Sequence, residues 1–142
     1  MSESTSESNV AFERLEDQIN WYDRRSGYNQ RMFKVLKATT ILISVSIPLS
    51  AAFADKLITG ILGAAIAMSE GIQQLNQYHH NWITYRATAE GLKHEKYLFL
   101  STAGPYASAN NPKALLAERI ESLVSQEHAK WASTQEQTPK PK

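Results

Sequence analysis

Two apolar runs near the middle of the chain, ATTILISVSIPLSAAFA at 38–54 and LITGILGAAIAMSEGIQQL at 57–75, decide the fold. The first run carries no charge, and only Asp55 and Lys56 separate it from the second. As a helix the first run would be roughly 25 Å long, whereas the hydrocarbon core of a bilayer is about 30 Å thick. It therefore needs residues from its flank in order to span a membrane.

Lysines just before the first run supply that flank, because Lys34 and Lys37 can extend their ammonium groups to the bilayer interface. We predict transmembrane helices at about 35–54 and 57–75, joined by a minimal turn into a membrane hairpin. Pro48 should bend the first helix without breaking it, since Ser44 or a neighbouring helix can satisfy the freed carbonyl. A buried hairpin in a soluble, all-helical protein is the alternative.

Neither span has a strongly favourable free energy of insertion into lipid by itself. Leu, Ile, Val and Phe each favour insertion by about 0.3 to 0.6 kcal/mol, whereas a central acidic residue opposes it by about 2.5 to 3.5 kcal/mol. The second run contains such a residue, Glu70. We therefore expect the two spans to insert as a pair, with their Ser, Thr and Gly residues and Glu70 turned away from lipid.

Helices are also predicted on both sides of the hairpin, which makes the fold all-α. Over 9–34 apolar residues recur at helical spacing, which is typical of an amphipathic helix. The second apolar run continues into a polar, helix-compatible stretch at 76–101, so one helix should leave the membrane and extend into solvent. Asn111 followed by Pro112 signals the start of a last amphipathic helix at 112–131.

Length and composition exclude several classes of protein. The 142 residues allow one domain, predicted at 9–131, between a disordered tail at 1–8 and a flexible tail at 132–142. Fifteen basic residues against fourteen acidic ones give no overall positive electrostatic potential for binding nucleic acid. Cysteine is absent, and no nucleophile elbow, phosphate loop or dinucleotide glycine motif is present. We expect neither enzyme activity nor a cofactor.

Basic residues are concentrated outside the predicted hairpin. Those before it are Arg24, Arg25, Arg31, Lys34 and Lys37, and those after it are Arg86, Lys93 and Lys96. The turn carries one Lys against one Asp. Because positive charge favours the cytoplasmic side, both termini should be cytoplasmic, with the chain as a multi-pass protein of the inner (plasma) membrane.

A stripe of small and polar residues follows the second helix at spacings of three and four. Its members are Gly60, Gly63, Ala67, Glu70, Gln74, Gln77, Asn81, Thr84, Thr88 and Gly91. Small residues let helix backbones approach closely, and a polar stripe could line a wet axis shared by several subunits. The members from Gly60 to Asn81 are therefore candidate pore-lining or axis-facing residues. Equally, the small ones could only pack against the first helix, with the polar ones forming an ordinary solvated face.

Glu70 is the leading single candidate for function, because no other ionisable residue lies well inside either run. Burying a carboxylate is costly unless it meets water, a proton or a partner. The alternative is that the membrane ends near Met68, which would leave Glu70 in water at the cytoplasmic interface.

The predicted cytoplasmic bundle has its own candidates, which are Trp21, Tyr22, Trp82, Arg86 and Glu90. Aromatic side chains near a membrane boundary are typical of interface anchoring and of core packing. Arg86 and Glu90 lie one helical turn apart and can form an ion pair. The histidines at 79, 80 and 94 lack the spacing of a metal site, so no metal is expected.

Three segments carry a resemblance to a known group of proteins: DQINWYD at 17–23, YRATAEGLKHEKYLFL at 85–100 and GPY at 104–106. With the overall layout, they resemble the SLATT-like two-transmembrane proteins, over nearly the whole chain from about Asn9 to Val124. The resemblance implies a bacterial two-helix membrane module. Several SLATT groups are proposed to act as pore-forming effectors beside nucleotide-signalling partners in conflict systems, and the resemblance implies a similar role.

The favoured hypothesis is a homo-oligomeric membrane pore or ion channel that lies in membrane lipid and passes ions. Its long second helix would surround the axis, and its cytoplasmic arms would form an assembly and gating bundle. The rival hypothesis is a non-conducting, membrane-anchored helical scaffold that recruits a cytosolic partner through 85–100.

Overall fold

The computed structural model describes the backbone of residues 3–53 and 56–136. Every regular element in that range is helical, which confirms the predicted all-α class. The elements are α1 at Glu3–Phe53, α2 at Lys56–Asn76, α3 at Tyr78–Leu100, a 3-10 turn at Gly104–Tyr106 and α4 at Pro112–Glu136.

The first apolar run and the amphipathic segment before it form one continuous helix, α1. Pro48 lies inside α1, and the helix continues beyond it to Phe53. Near this proline, the Ser44 hydroxyl donates a hydrogen bond to the Thr40 carbonyl at 2.8 Å. The carbonyl that Pro48 leaves without its helical donor is that of Ser44, so this hydroxyl bond to Thr40 does not replace the lost one.

The predicted ends of the chain and the hairpin turn are only partly covered. Since α1 begins at Glu3, its N-terminus lies inside the segment 1–8 that we expect to be a tail, and this tail stays a prediction. Residues 54–55 of the turn and 137–142 of the C-terminal tail lie outside the described residues. Helix α4 extends to Glu136, five residues beyond its predicted end.

The expectation that one helix runs on from the second apolar run was wrong. Helix α2 ends at Asn76, α3 begins at Tyr78, and Gln77 between them has a φ of 47°. A left-handed residue with a side chain costs about 1 to 2 kcal/mol. Two hydrogen bonds compensate: the Asn81 amide side chain donates to the Asn76 carbonyl at 3.0 Å, and the Asn81 backbone N–H donates to the Gln77 carbonyl at 2.9 Å.

The predicted start of the last helix is confirmed. The Asn111 side-chain oxygen accepts a hydrogen bond from the Ala114 backbone N–H at 3.2 Å, and Pro112 occupies the first position of α4. An Asn cap satisfies one of the N–H groups that a helix start leaves without a partner.

The chain divides into two compact units, where the sequence predicted one domain. The bundle unit comprises residues 1–24 and 84–142, and the hairpin unit comprises residues 25–83. The bundle unit has an apolar core of Leu15, Ile19, Tyr22, Ala89, Leu92, Tyr106, Leu116, Ile120 and Val124. The hairpin unit contributes none of the buried hydrophobic residues found in the described part of the chain.

Candidate functional site

The hairpin unit exposes large apolar side chains, and the residues that it buries are polar. Its buried residues are Ser26, Asn29, Thr40 and Ser69. Its exposed large hydrophobic residues include Val35, Ile41, Leu42, Val45, Leu49, Phe53, Leu57, Ile58, Ile61 and Met68. Many exposed large apolar side chains in one unit are typical of contact with lipid or with another protein.

One helix among the described residues is long and apolar enough to cross a membrane, and it lies within Val10–Ser50. Only 6% of its most apolar stretch is buried, whereas the core helix of a soluble protein would be mostly buried. This exposure favours membrane association over the soluble hairpin. Helix α2 is less apolar, because Glu70 and the glutamines after it interrupt its apolar run. Of the two predicted spans, only the first is therefore supported within the described residues.

Two polar contacts join α1 to α2. The hydroxyl groups of Thr40 and Ser69, both buried, form a hydrogen bond of 3.0 Å. Close to it, the Lys37 ammonium group lies 3.1 Å from a carboxylate oxygen of Glu70, with each side chain nearly half exposed. Thr40, Ser69 and Glu70 therefore turn toward a partner helix, whereas Ser44, Ser46 and Gly63 are exposed, so the expectation holds for only part of the polar and small residues. The cation beside Glu70 was not predicted from the sequence.

The small residues of the stripe do not pack against the part of α1 whose side chains the structure describes. Gly60, Gly63 and Ala67 are exposed, and a Cβ added at either glycine would meet no atom within 4 Å. Ser69 and the partly buried Ile66 lie toward a different face of α2. The face formed by Gly60, Gly63 and Ala67, here called the glycine face, is open.

The polar half of the stripe does not continue the glycine face. A stripe at spacings of three and four needs an unbroken helix, and the left-handed Gln77 interrupts it. Gln74 is exposed just before the interruption. Beyond it, Asn81 is occupied by its bond to the Asn76 carbonyl, and Thr88 is buried in the bundle unit. The expected continuous axis-facing row from Gly60 to Asn81 is therefore split.

Trp82 lies in the hairpin unit, within a group of aromatic rings. Its ring stacks on Phe33 with 6.3 Å between ring centres, and Phe33 lies 4.7 Å from the ring of His79. The Lys34 ammonium group is 5.9 Å from the centre of the Trp82 ring, which is within the range of a cation–π contact.

Trp21 and Tyr22 lie in the bundle unit and contact Tyr85. The ring centres of Trp21 and Tyr85 are 5.7 Å apart, and those of Tyr22 and Tyr85 are 5.9 Å apart. The Tyr22 hydroxyl donates a hydrogen bond of 3.2 Å to Glu127, whose carboxylate is buried. Burial and this neighbouring carboxylate raise the pKa of Tyr22. Glu127 is a candidate that the sequence analysis missed.

Beside this buried pair is a cavity of about 430 Å³ whose lining includes Arg14, Trp21, Tyr22 and His128. The His128 side chain, largely exposed, places Nε2 at 3.6 Å from the Glu127 carboxylate. The cavity is open and mixed in polarity. Among the described residues, no group of three or more His, Asp or Glu side chains is arranged to hold a metal ion.

Ion pairs cover the surface of the bundle unit. Lys93 lies 2.8 Å from Asp23, and this hydrogen-bonded partner raises the pKa of Lys93. Arg86 and Glu90 do pair at 3.0 Å, but their side chains are 61% and 50% exposed. An exposed pair at this spacing contributes only about 0.2 to 0.5 kcal/mol. It therefore belongs to a solvated face and not to a buried bundle site.

A family model described as "Protein of unknown function (DUF4231)" matches residues 17–114, which is more than half of the chain. The chain belongs to the DUF4231 family. The DUF4231 match includes α1 from Asp17 onward, all of α2 and α3, and the first residues of α4. It does not confirm the finer SLATT-like assignment. No curated protein and no solved structure matches the chain.

Proposed function

We propose that this DUF4231 protein is a homo-oligomeric membrane pore or ion channel. Its hairpin unit crosses the bilayer twice, and its bundle unit serves assembly and gating in the cytoplasm, together with both termini. The outward apolar side chains of the hairpin unit support the membrane location. The resemblance to SLATT-like proteins supports this proposal, and membership of that group is proposed with it.

The observation that carries the proposal is the open glycine face. Helices in lipid associate where small residues let their backbones approach, because apolar side chains gain nothing by leaving lipid for one another. Among the described residues, α1 leaves this face free at Gly60 and Gly63. A second copy of the chain is the partner that would always be present at the same depth in the bilayer.

Assembly is tested with one substitution at two places. Ala67→Leu fills the glycine face and should reduce both the oligomer size in detergent and the current in reconstituted bilayers. Ala38→Leu makes the same change at an exposed position of α1, where both should be preserved. An Ala67→Leu variant with wild-type oligomer size and current would show that the glycine face is not the interface.

The Lys37–Glu70 pair predicts how the preference of the pore for cations or anions should change on substitution. Removing either charge leaves the other without its partner at the same level of the hairpin. Rings of charge concentrate the opposite ion, so Glu70→Gln should shift the preference toward anions and Lys37→Gln toward cations. Reversal potentials under a salt gradient measure both. Equal potentials for the two variants would place this pair outside the ion path.

The proposed topology is tested with tags at the N-terminus, at the turn and at the C-terminus. Labelling should be cytoplasmic, external and cytoplasmic in that order, because basic residues flank the outer ends of the hairpin. A cytoplasmic turn would refute a hairpin with two spans.

A non-conducting scaffold is the second candidate, and a surface on the bundle unit favours it. Tyr97 and Leu100, three residues apart on α3, are 68% and 61% exposed. Exposed neighbours of this kind suit the docking of a cytosolic partner. A wild-type protein that assembles in lipid but passes no current would decide for the scaffold.

A further inference from the structure

A basic and aromatic surface lies where the apolar run of α1 begins. Lys34 precedes Ala38, the first residue of that run, by one helical turn. Its ammonium group approaches the Trp82 ring on α3, and that ring stacks on Phe33. The exposed His79 completes the group of rings. Tryptophan and lysine side chains together are typical of the headgroup level of a bilayer.

Two cations on this surface have no acidic partner within the described residues. Arg31, Lys34 and Lys37 follow one another at spacings of three on α1, so they repel one another as helix neighbours. Lys37 is paired with Glu70. Arg31 and Lys34 are exposed and form no ion pair with any residue that the structure describes. An anion near them would relieve the repulsion.

The charge of the hairpin unit points the same way. It contains five basic and two acidic residues, whereas the bundle unit contains ten basic and twelve acidic ones. Positive charge is therefore concentrated in the unit whose outer surface is apolar. A partner that fits this unit offers an apolar region and negative groups at its border, and an anionic lipid has both.

We propose that Arg31 and Lys34, beside the rings of Trp82 and Phe33, bind the phosphodiester headgroup of an anionic lipid. Guanidinium and ammonium groups form charge-assisted hydrogen bonds with phosphate oxygens, and the neighbouring rings lie against the glycerol region. This inference rests on the membrane hairpin of the proposed function, and it adds a lipid class that the pore proposal does not specify.

The test measures how strongly lipid quenches Trp82. The full chain, with Trp21→Phe and Trp131→Phe so that Trp82 alone fluoresces, is placed in phosphatidylcholine vesicles that contain phosphatidylglycerol. Bromine is carried either by the phosphatidylglycerol or by an equal amount of the phosphatidylcholine. Brominated phosphatidylglycerol should quench Trp82 fluorescence more strongly than brominated phosphatidylcholine does, which measures the preference of the site for the anionic lipid. Lys34→Gln should lower that preference roughly fivefold, the effect of one cation near a charged membrane surface.

Lys56→Gln is the matched control, because it removes the same charge at the start of α2, where the apolar run of that helix begins. It should keep the wild-type preference at Trp82, and Arg31→Gln should lower it as Lys34→Gln does. Equal quenching by the two brominated lipids in the wild type would overturn the headgroup site alone. No quenching by either lipid would instead overturn the membrane hairpin of the proposed function.

Two further measurements separate the remaining outcomes. Inorganic phosphate, compared with chloride at matched ionic strength, should leave the preference unchanged; its loss would identify a free-anion site and overturn the lipid assignment. If the tryptophan substitutions lower the helical content seen by circular dichroism, native mass spectrometry of the otherwise unaltered chain replaces the quenching. Wild type should then retain phosphatidylglycerol that Lys34→Gln loses and Lys56→Gln keeps, and equal retention by all three would overturn the site.

Discussion

The bundle unit and the hairpin unit distribute the same kinds of side chain in opposite ways. In the bundle unit, Leu15 and Leu92 are fully buried and ion pairs such as Lys93–Asp23 lie at the surface. In the hairpin unit, Leu42 is 69% exposed, while the hydroxyl groups of Thr40 and Ser69 meet inside. Buried apolar side chains suit the bundle unit to water, and the exposed apolar side chains of the hairpin unit favour membrane association.

The first prediction makes the same substitution in both units. Leu92→Ala should destabilise the bundle unit by about 2 to 5 kcal/mol, because it removes buried contacts and leaves a cavity. Leu42→Ala should cost less than about 0.5 kcal/mol, because detergent or lipid replaces the lost contacts. Chemical unfolding of both variants in the same detergent measures the difference. Equal costs would mean that the outside of the hairpin unit is packed against protein.

The second prediction concerns the buried carboxylate of the bundle unit. Tyr22→Phe removes the hydroxyl that donates to Glu127 and should cost roughly 1 to 3 kcal/mol, since an unsatisfied buried acceptor pays its full desolvation. Tyr97→Phe removes an exposed hydroxyl and should leave the thermal midpoint unchanged. A Tyr22→Phe variant as stable as wild type would show that water reaches Glu127.

The third prediction concerns the hydroxyl pair inside the hairpin unit. In a double-mutant cycle of Thr40→Val and Ser69→Ala, the coupling energy should be about 0.6 kcal/mol, which is typical of a hydrogen bond between helices in a membrane. Unfolding in detergent micelles provides the four stabilities. Zero coupling would contradict a direct bond between the two hydroxyl groups.

The smallest effect is expected at Arg86 and Glu90. A double-mutant cycle with alanine at both positions should give a coupling of about 0.2 to 0.5 kcal/mol that salt weakens, because both side chains are exposed. A larger coupling that resists salt would show that another surface covers this part of the bundle unit.

Helical spacing and capping chemistry made most of the fold predictable. The period of apolar residues placed α1 and α4, and the Asn111–Pro112 pair fixed the start of α4 at the observed residue. The break at Gln77 was not predictable in the same way, because no glycine or proline marks it. The bonds of Asn81 hold this break, and they depend on the folded geometry of both helix ends.

The candidate sites were predictable where a residue contradicts its surroundings. Glu70 was noticed because it interrupts an apolar run, but its partner Lys37 belongs to another helix and depends on the antiparallel register. Glu127 was missed although a signal existed: it follows Leu116, Ile120 and Val124 at spacings of three and four, on the face of α4 that forms the core. A charged residue on such a stripe is a better candidate than one on a polar face.

The hydroxyl bond between Thr40 and Ser69 has a consequence for how the hairpin unit finds a single alignment. Apolar helices in lipid can slide along each other by one turn, about 5.4 Å, and exchange one set of similar contacts for another. A hydrogen bond of 3.0 Å does not survive that shift, and neither does the Lys37–Glu70 pair. The two polar contacts therefore specify the register of α1 against α2. Together they select one alignment from several of nearly equal energy, although each adds little to stability.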